Sequence, residues 1–276
     1  MSHPLFDLSN RVALVSGAAS GLGKAMATGF AEAGADLVLA DINADGLATA
    51  AREMEALGRR VLPAVCDMSK PDQIRTMFEL IDAKYGRIDI VGNVAGNARR
   101  NTPLDLTPEE VEFTLQNLVV GRLVCCQEAG RRMMDSGNGG SIINLVSIAG
   151  INALGRSHLS YSMGMGAAAQ MTRELSTEWA AKGVRVNAIV CAQLMNADLK
   201  ERIAADPALG ETYLRGLPIG RLGDSNDIKG AAIFLASDAS AWITGAMLPL
   251  DGGNLSKNAG GSHPGMPNAP AEQIGL

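Results

Sequence analysis

Residues 12–23, VALVSGAASGLG, constrain what this chain can fold into more than any other stretch. A short apolar run, Val12–Ser16, ends in Ser16-Gly-Ala-Ala-Ser-Gly-Leu-Gly23 and passes straight into a helical pattern. Gly17, Gly21 and Gly23 let the backbone turn sharply and approach a pyrophosphate closely. The N-terminus of the following helix then offers free N–H groups and the positive end of its dipole to that anion. Glycines also serve plain turns, so the weight lies in the position after a strand and before a helix. Ser16, Ser20 and Leu22 complete the candidate loop.

The rest of the chain repeats that alternation. Short β-branched runs at 36–41, 60–65, 88–93, 141–147, 184–190 and 246–250 are separated by amphipathic segments with a period near 3.6. Thr107-Pro-Glu-Glu110 marks one helix start, with an N-cap, a proline at the first helical position and a glutamate at the third. Seven strands alternating with helices predict a single α/β domain, doubly wound, with a mostly parallel sheet covered on both faces. The length of 276 residues and a hydrophobic content of 47% are enough for one such core. The domain is expected to span 1–253. Residues 254–276 are rich in Gly, Pro, Asn and Ser, and read as a frayed tail or as an arm across a neighbouring subunit.

Several function classes are excluded by composition. A net charge of −5 without any Lys/Arg run argues against a nucleic-acid surface. The four cysteines show no metal-ligand spacing and suit reduced thiols in the cytoplasm. The start MSHPLFDLSNR lacks a secretory pattern, and no apolar run reaches membrane-spanning length. The expectation is a soluble, cytoplasmic protein with no metal and no membrane partner.

The second strand ends at Asp41, 24 residues after Gly17. A carboxylate there can accept hydrogen bonds from adenosine ribose hydroxyls and would repel a 2′-phosphate, which favours NAD over NADP. It can equally cap the next turn. Asp67, in Cys66-Asp-Met68, is placed to touch an adenine edge or to cap a helix.

In this order the residues resemble the classical branch of the short-chain dehydrogenase/reductase family, from about Leu8 to Gly253. The markers are the 17–23 loop, Asn93-Val-Ala-Gly96, Asn117, Ser147, Tyr161, Arg185-Val-Asn187, Thr244-Gly and Asp251-Gly-Gly253. The resemblance implies one Rossmann-type domain, a homotetramer or homodimer, and hydride transfer between a carbonyl or alcohol and nicotinamide. It places Ser147 as the group polarising the substrate oxygen, Tyr161 as the proton donor, and Asn117 at a helix bend that holds a relay water. Met68, Asn93, Ala95, Gly96, Cys191, Ala192 and Leu194 would join the cofactor site. Family helices that form a four-helix interface correspond to roughly 108–134 and 160–182.

The departures gather at one end. Ser147 and Tyr161 are 14 residues apart, one more than expected, and the 150–160 loop can absorb the extra residue. Family members carry lysine four residues after the tyrosine, on the same helix face. Here Met165 stands there, and no lysine occurs between Lys84 and Lys182. With a phenol pKa of about 10, on the order of one tyrosine in a thousand is ionised at pH 7, and moving it to about 7 takes roughly 4 kcal/mol. A thioether supplies neither that charge nor a hydrogen-bond donor for a ribose. The usual Pro-Gly after the sixth strand is Cys191-Ala192, a common threonine aligns with Asn196, and Val94 replaces the second asparagine of its motif. The enoyl-reductase arrangement, with lysine seven residues after tyrosine, is absent, because Ala168 stands there.

Three functions fit this pattern. The first is a dehydrogenase with altered proton transfer, assisted by Arg156 or His158. The second is a protein that binds NAD or a ligand with little turnover and serves as a partner or sensor. The third is a non-redox enzyme on the same scaffold, like the halohydrin dehalogenases, although those relatives lose the cofactor loop. The substrate would be set by 150–160 and 195–213, with Asn196 among its contacts. Polyols, sugar acids and cyclic ketones are the expected classes, and the start of the chain resembles gluconate 5-dehydrogenase-like members.

Overall fold

The computed structural model describes residues 3–257. Its seven strands form one sheet in the order β3-β2-β1-β4-β5-β6-β7, and every neighbouring pair is parallel. They are β1 (Val12–Ser16), β2 (Asp36–Asp41), β3 (Val61–Val65), β4 (Ile90–Asn93), β5 (Gly140–Ser147), β6 (Val184–Cys191) and β7 (Met247–Leu250). The expected fold is therefore present, with a sheet that is wholly rather than mostly parallel. Each expected strand is found, shifted at its ends by at most two residues.

The connections are α1 (Gly21–Glu32), α2 (Ala44–Ala56), α3 (Pro71–Tyr85), α4 (Pro108–Leu115), α5 (Gly121–Asp135), α6 (Leu159–Trp179), α7 (Ala197–Ala205), α8 (Pro207–Leu214) and α9 (Ile228–Ala236). Alternation along β1 divides the core. Ala13 and Val15 pack with Phe30 of α1, Leu47 of α2 and Ile228 of α9, whereas Val12 and Leu14 pack with Ile74 and Phe78 of α3 and Cys125 of α5. Phe30 and Phe78 are fully buried, one on each face, and each such side chain contributes roughly 1.5–3 kcal/mol. A third cluster joins Leu118, Val146, Met165 and Ala168.

Sheet order reverses between β1 and β4. Chain leaves the sheet in opposite directions there, which opens a crevice at the carboxyl ends of the strands. Helix α4 starts as the sequence indicates: Glu110 N–H donates to Thr107 Oγ1 at 3.3 Å, and Thr107 N–H donates to Glu110 Oε2 at 3.0 Å. Residues 108–134 are not one regular helix, however. A π-helical turn, Gln116–Val120, joins α4 to α5 and inserts an extra residue that turns the face of α5.

Asn254–Lys257, the first residues of the expected tail, lie in turns tied to the domain. Asn254 Nδ2 donates to the Gly216 carbonyl at 2.7 Å, and Leu255 N–H donates to Asp251 Oδ2 at 2.7 Å. The remainder of the tail, 258–276, lies outside the described residues.

Candidate active site

The crevice holds two adjoining clefts of ≈ 760 and ≈ 330 Å³ that share Leu22, Val94, Gly96, Tyr161 and Leu194 on their walls. The larger begins at the glycine loop. Gly17 has φ +70°, and a Cβ there would come within 3.3 Å of Ala95. A Cβ on Gly23 would lie 2.0 Å from the Gly17 carbonyl oxygen, so only glycine lets α1 pack this tightly under the loop. Ser20, at the N-cap, makes no side-chain cap, and the first turn of α1 faces the cleft with Gly17, Ser20, Gly21, Leu22 and Gly23. A pyrophosphate fits this cradle of backbone donors.

Asp41 and Asp67 line the same cleft, together with Met68 and the exposed Ile42. Asp41 accepts from Ala19 N–H at 3.0 Å and from Asn43 N–H at 2.9 Å, so it braces the glycine loop as well as facing the cleft. Asp67 accepts from Ser69 N–H and Oγ in the turn before α3, whose N-cap position is Lys70, so Asp67 does not cap that helix as its alternative reading had it.

Two sequence-predicted cofactor residues stand behind the cleft walls rather than on them. Ser16 is buried, and its hydroxyl accepts from the Val94 and Ala95 N–H groups at 3.0 and 3.1 Å, tying β1 to the turn after β4. Asn93 is also buried, donating to Asn144 Oδ1 at 3.0 Å behind the cleft. Both are absent from the cleft walls because β1 and β4 are central strands, and these alternate side chains point into the core. Ala95 and Gly96 do reach the larger cleft, Cys191 and Ala192 the smaller one, and Leu194 both.

At the far end the smaller cleft brings together Ser147 from the end of β5, Tyr161 from the first turns of α6, and Met165 one turn later. Ser147 Oγ accepts from Ala149 N–H at 3.1 Å, which fixes its direction at the strand end. Asn117 sits within the π-helical turn on the wall of the larger cleft, donating to the Phe113 carbonyl at 2.9 Å. Burial pushes the Tyr161 phenol above its ordinary range. Hydrogen bonding by the Ser147 side chain, and the charges of Arg122 and Arg100, pull it back. Cys191, at the end of β6, is buried and its thiol is pushed up to about 12 by desolvation.

His158 packs edge-on against Tyr161 with ring centroids 6.1 Å apart, and its Nδ1 is hydrogen-bonded to the Arg156 carbonyl. Burial lowers the His158 pKa, the hydrogen bond to the Arg156 carbonyl opposes that, and the nearby charges of Arg100, Arg156 and Arg202 lower it further. The Arg156 guanidinium lies over the Tyr213 ring at 5.1 Å. Neither Arg156 nor His158 lines the clefts. Asn196 does, but its side chain also caps α7 by accepting from Leu199 N–H at 2.8 Å.

Sequence reasoning missed Arg100, which lines the smaller cleft beside Ser147 and Tyr161. Its loop is held by a knot in which Ser160 Oγ donates to the Arg99 carbonyl at 2.7 Å and Arg99 N–H donates to Thr114 Oγ1 at 3.0 Å. Arg122 was missed as well. It is 3% exposed on α5, and a charge on the apolar stripe Leu118–Cys125–Cys126–Ala129 was the available signal. Among the described residues, no group of three His, Cys, Asp or Glu could hold a metal ion, and no helix is long and apolar enough to cross a membrane.

Comparison with known proteins agrees with this geometry. The sequence profile described as "Enoyl-(Acyl carrier protein) reductase" matches residues 17–254. The chain is 36% identical to D-threitol dehydrogenase of Mycolicibacterium smegmatis over 252 residues, covering 91% of this chain and 95% of that one. It is 37% identical to the NAD-dependent glycerol dehydrogenase of Listeria innocua, covering 91% and 96%. The crystal structure of a gluconate 5-dehydrogenase from Burkholderia cenocepacia J2315 in complex with NADP and tartrate superposes with a TM-score of 0.86 at 32% identity, covering 92% of this chain and 99% of that one. The chain belongs to the short-chain dehydrogenase/reductase family.

Proposed function

We propose that this protein is an NAD(H)-dependent oxidoreductase interconverting a secondary alcohol and a ketone on a small polar substrate, with a sugar acid as the best-fitting class. The observation that carries this reading is the meeting of Ser147 and Tyr161 on the wall of a crevice whose other end is the glycine loop. A bound nicotinamide would supply the hydride acceptor for alcohol oxidation and the donor for ketone reduction. During oxidation Tyr161 Oη takes the hydroxyl proton, and during reduction it returns a proton to the carbonyl oxygen. Ser147 Oγ donates a hydrogen bond to that same oxygen as its charge develops.

NAD is favoured because the wall around Asp41 carries no lysine or arginine, so a 2′-phosphate would meet a carboxylate without a compensating cation. An anionic substrate is favoured because Arg100 flanks the reacting pair and shares the neighbourhood of His158 with Arg156 and Arg202. The names of the relatives, threitol, glycerol and gluconate dehydrogenases, point to polyols and sugar acids.

Met165 stands where the family pattern expects a lysine, and Tyr161 is a half-buried phenol whose pKa is raised by desolvation. Proton transfer is therefore expected to be weak near neutral pH. This residue also favours the second reading, an NAD-binding partner or sensor with little turnover. The retained glycine loop speaks against a non-redox activity. A homo-oligomeric, cytoplasmic protein is part of the proposal; Leu159 and Met163 on α6 are 44% and 45% exposed and suit a subunit contact.

Calorimetry with NADH and NADPH, followed by turnover on aldonates, polyols and cyclic ketones, tests both readings. NADH binding with aldonate oxidation is the expected result. Binding without turnover of any substrate selects the second reading, and no binding at millimolar cofactor overturns both.

A further inference from the structure

A buried cation lies close to the reacting pair, and the function above leaves it unused. Arg122 is almost wholly enclosed, with one guanidinium nitrogen donating to the Leu145 carbonyl at 2.7 Å, two residues before Ser147 on β5. Its Nε and Nη2 are buried without a hydrogen-bond partner among the described residues. A guanidinium stays protonated in proteins. Such a charge, buried without an anion, is destabilising by several kcal/mol unless a nearby group compensates it.

Position narrows what that group can be. Leu118, one turn before Arg122, packs against Gly164 of α6, where a Cβ would come within 2.9 Å of the leucine. Cys126, one turn after Arg122, lies in the Asn93–Asn144 knot, and Asn144 donates to Thr172 Oγ1 of α6 at 2.9 Å. These contacts bracket Arg122 at the level of α6 between Gly164 and Thr172, the stretch that carries Met165 and Ala168. A Cβ on Gly121 would lie 1.7 Å from the Met68 carbonyl oxygen, so α5 has no room to swing away. The ionisable groups that share its field are Cys125, Cys126 and Tyr161. Cys125 and Cys126 are buried thiols pushed far up by desolvation, the latter to about 12. Of the three, Tyr161 alone reaches the cleft wall, where a substrate hydroxyl can hand over its proton.

We propose that Arg122 stands in for the missing lysine: from α5 it holds a permanent positive charge behind the Ser147–Tyr161 pair and stabilises Tyr161 as it becomes negative during alcohol oxidation. It lines neither cleft and touches neither substrate nor cofactor, so it is a positioning residue and not a catalytic one. The inference rests on Tyr161 as the proton-transfer group. Other groups facing Tyr161 are Ser147 from β5, Cys191 from β6, Arg100 from the loop after β4 and His158 at the start of its own helix. Arg100 is also cationic but exposed, so salt and an anionic substrate screen it. Arg122 is shielded from both.

The test is a phenolate absorbance titration of wild type, Arg122→Lys, Arg122→Gln and Arg122→Met, each read against its Tyr161→Phe counterpart to isolate Tyr161. It needs no turnover, so an inactive protein leaves it intact. Loss of the charge is expected to move Tyr161 ionisation up by at least one pH unit, a tenfold fall in the ionised fraction, with Arg122→Lys within half a unit of wild type. In an active protein, the rising limb of kcat/KM for alcohol oxidation should shift equally, leaving the neutral variants about tenfold slower at pH 8 and converging with wild type at high pH. Arg122→Gln keeps a donor for the Leu145 carbonyl and serves if Arg122→Met does not fold. A Tyr161 titration unchanged in a folded neutral variant, or a rate loss uniform across pH, overturns the proposal.

Discussion

The two ends of the crevice are built by different means. The end at the glycine loop is made of backbone: the α1 N-terminus, a loop that only glycine can pack, and carboxylates at strand ends. The far end is made of side chains that converge from β5, α6, β6, the loop after β4 and, behind them, α5. A backbone site depends on local geometry and tolerates replacement at positions other than its glycines. A side-chain site depends on the charge and reach of each residue, so it is sensitive to every substitution on its walls.

The largest effect expected from separating the ends is at Tyr161. Tyr161→Phe should lower alcohol oxidation by about 10²–10⁴-fold while leaving the NADH dissociation constant within about twofold, as measured by steady-state rates and calorimetry. Weakened NADH binding would show that the ends are not independent.

Alkali should distinguish them next. Desolvation pushes Cys66, beside the adenine end, up to about 11 and Cys191, at the reacting end, up to about 12, from 9.0. A raised thiol stabilises the fold fully below the unfolded value and loses that contribution as pH rises through the folded one. Stability should therefore fall between pH 9 and 12, by up to ~4 kcal/mol for Cys191 and less for Cys66. Urea unfolding of Cys191→Ala and Cys66→Ala across that range checks it: the former should flatten the decline more.

At the adenine end, Asp41→Asn removes the charge and keeps one acceptor oxygen, enough for one of the Ala19 and Asn43 N–H groups that Asp41 holds through its two oxygens. The NAD-over-NADP ratio of kcat/KM is expected to fall about 10²-fold, on the scale of one like-charge repulsion. The smallest effect is at the rim of the reacting end. Arg100→Gln should raise KM for an aldonate about fivefold and leave a neutral polyol unchanged, since a partly exposed ion pair is worth at most about 1 kcal/mol. Equal losses on both substrates would remove Arg100 from substrate charge recognition.

Much of this was legible before folding was considered. The strand runs, the Thr107 capping box and the glycine loop are local patterns, and local patterns report backbone conformation directly. The meeting of Ser147 and Tyr161 was expected from the family resemblance, and helix spacing adds only that Tyr161 and Met165 share a face of α6. The burial of Ser16 and Asn93 was not legible, for the complementary reason. Each stands beside the loop in sequence, but strand alternation turns its side chain into the core, where it ties neighbouring segments together. The π-helical turn at Gln116–Val120 has no comparable signature, since its residues suit an ordinary helix.

The sequence by itself determined a doubly wound parallel sheet, a dinucleotide loop, and a tyrosine without the lysine expected one turn later. The first two follow from periodicity and spacing within single segments, and the expectation of a lysine follows from the family resemblance alone. Tertiary structure alone decided where the charges went: Arg100, Arg156 and Arg202 gather around His158, and Arg122 is buried beneath the Leu145 carbonyl. Those arginines lie on four separate segments, and Coulomb interactions depend on distance through space and on burial, neither of which a linear pattern carries.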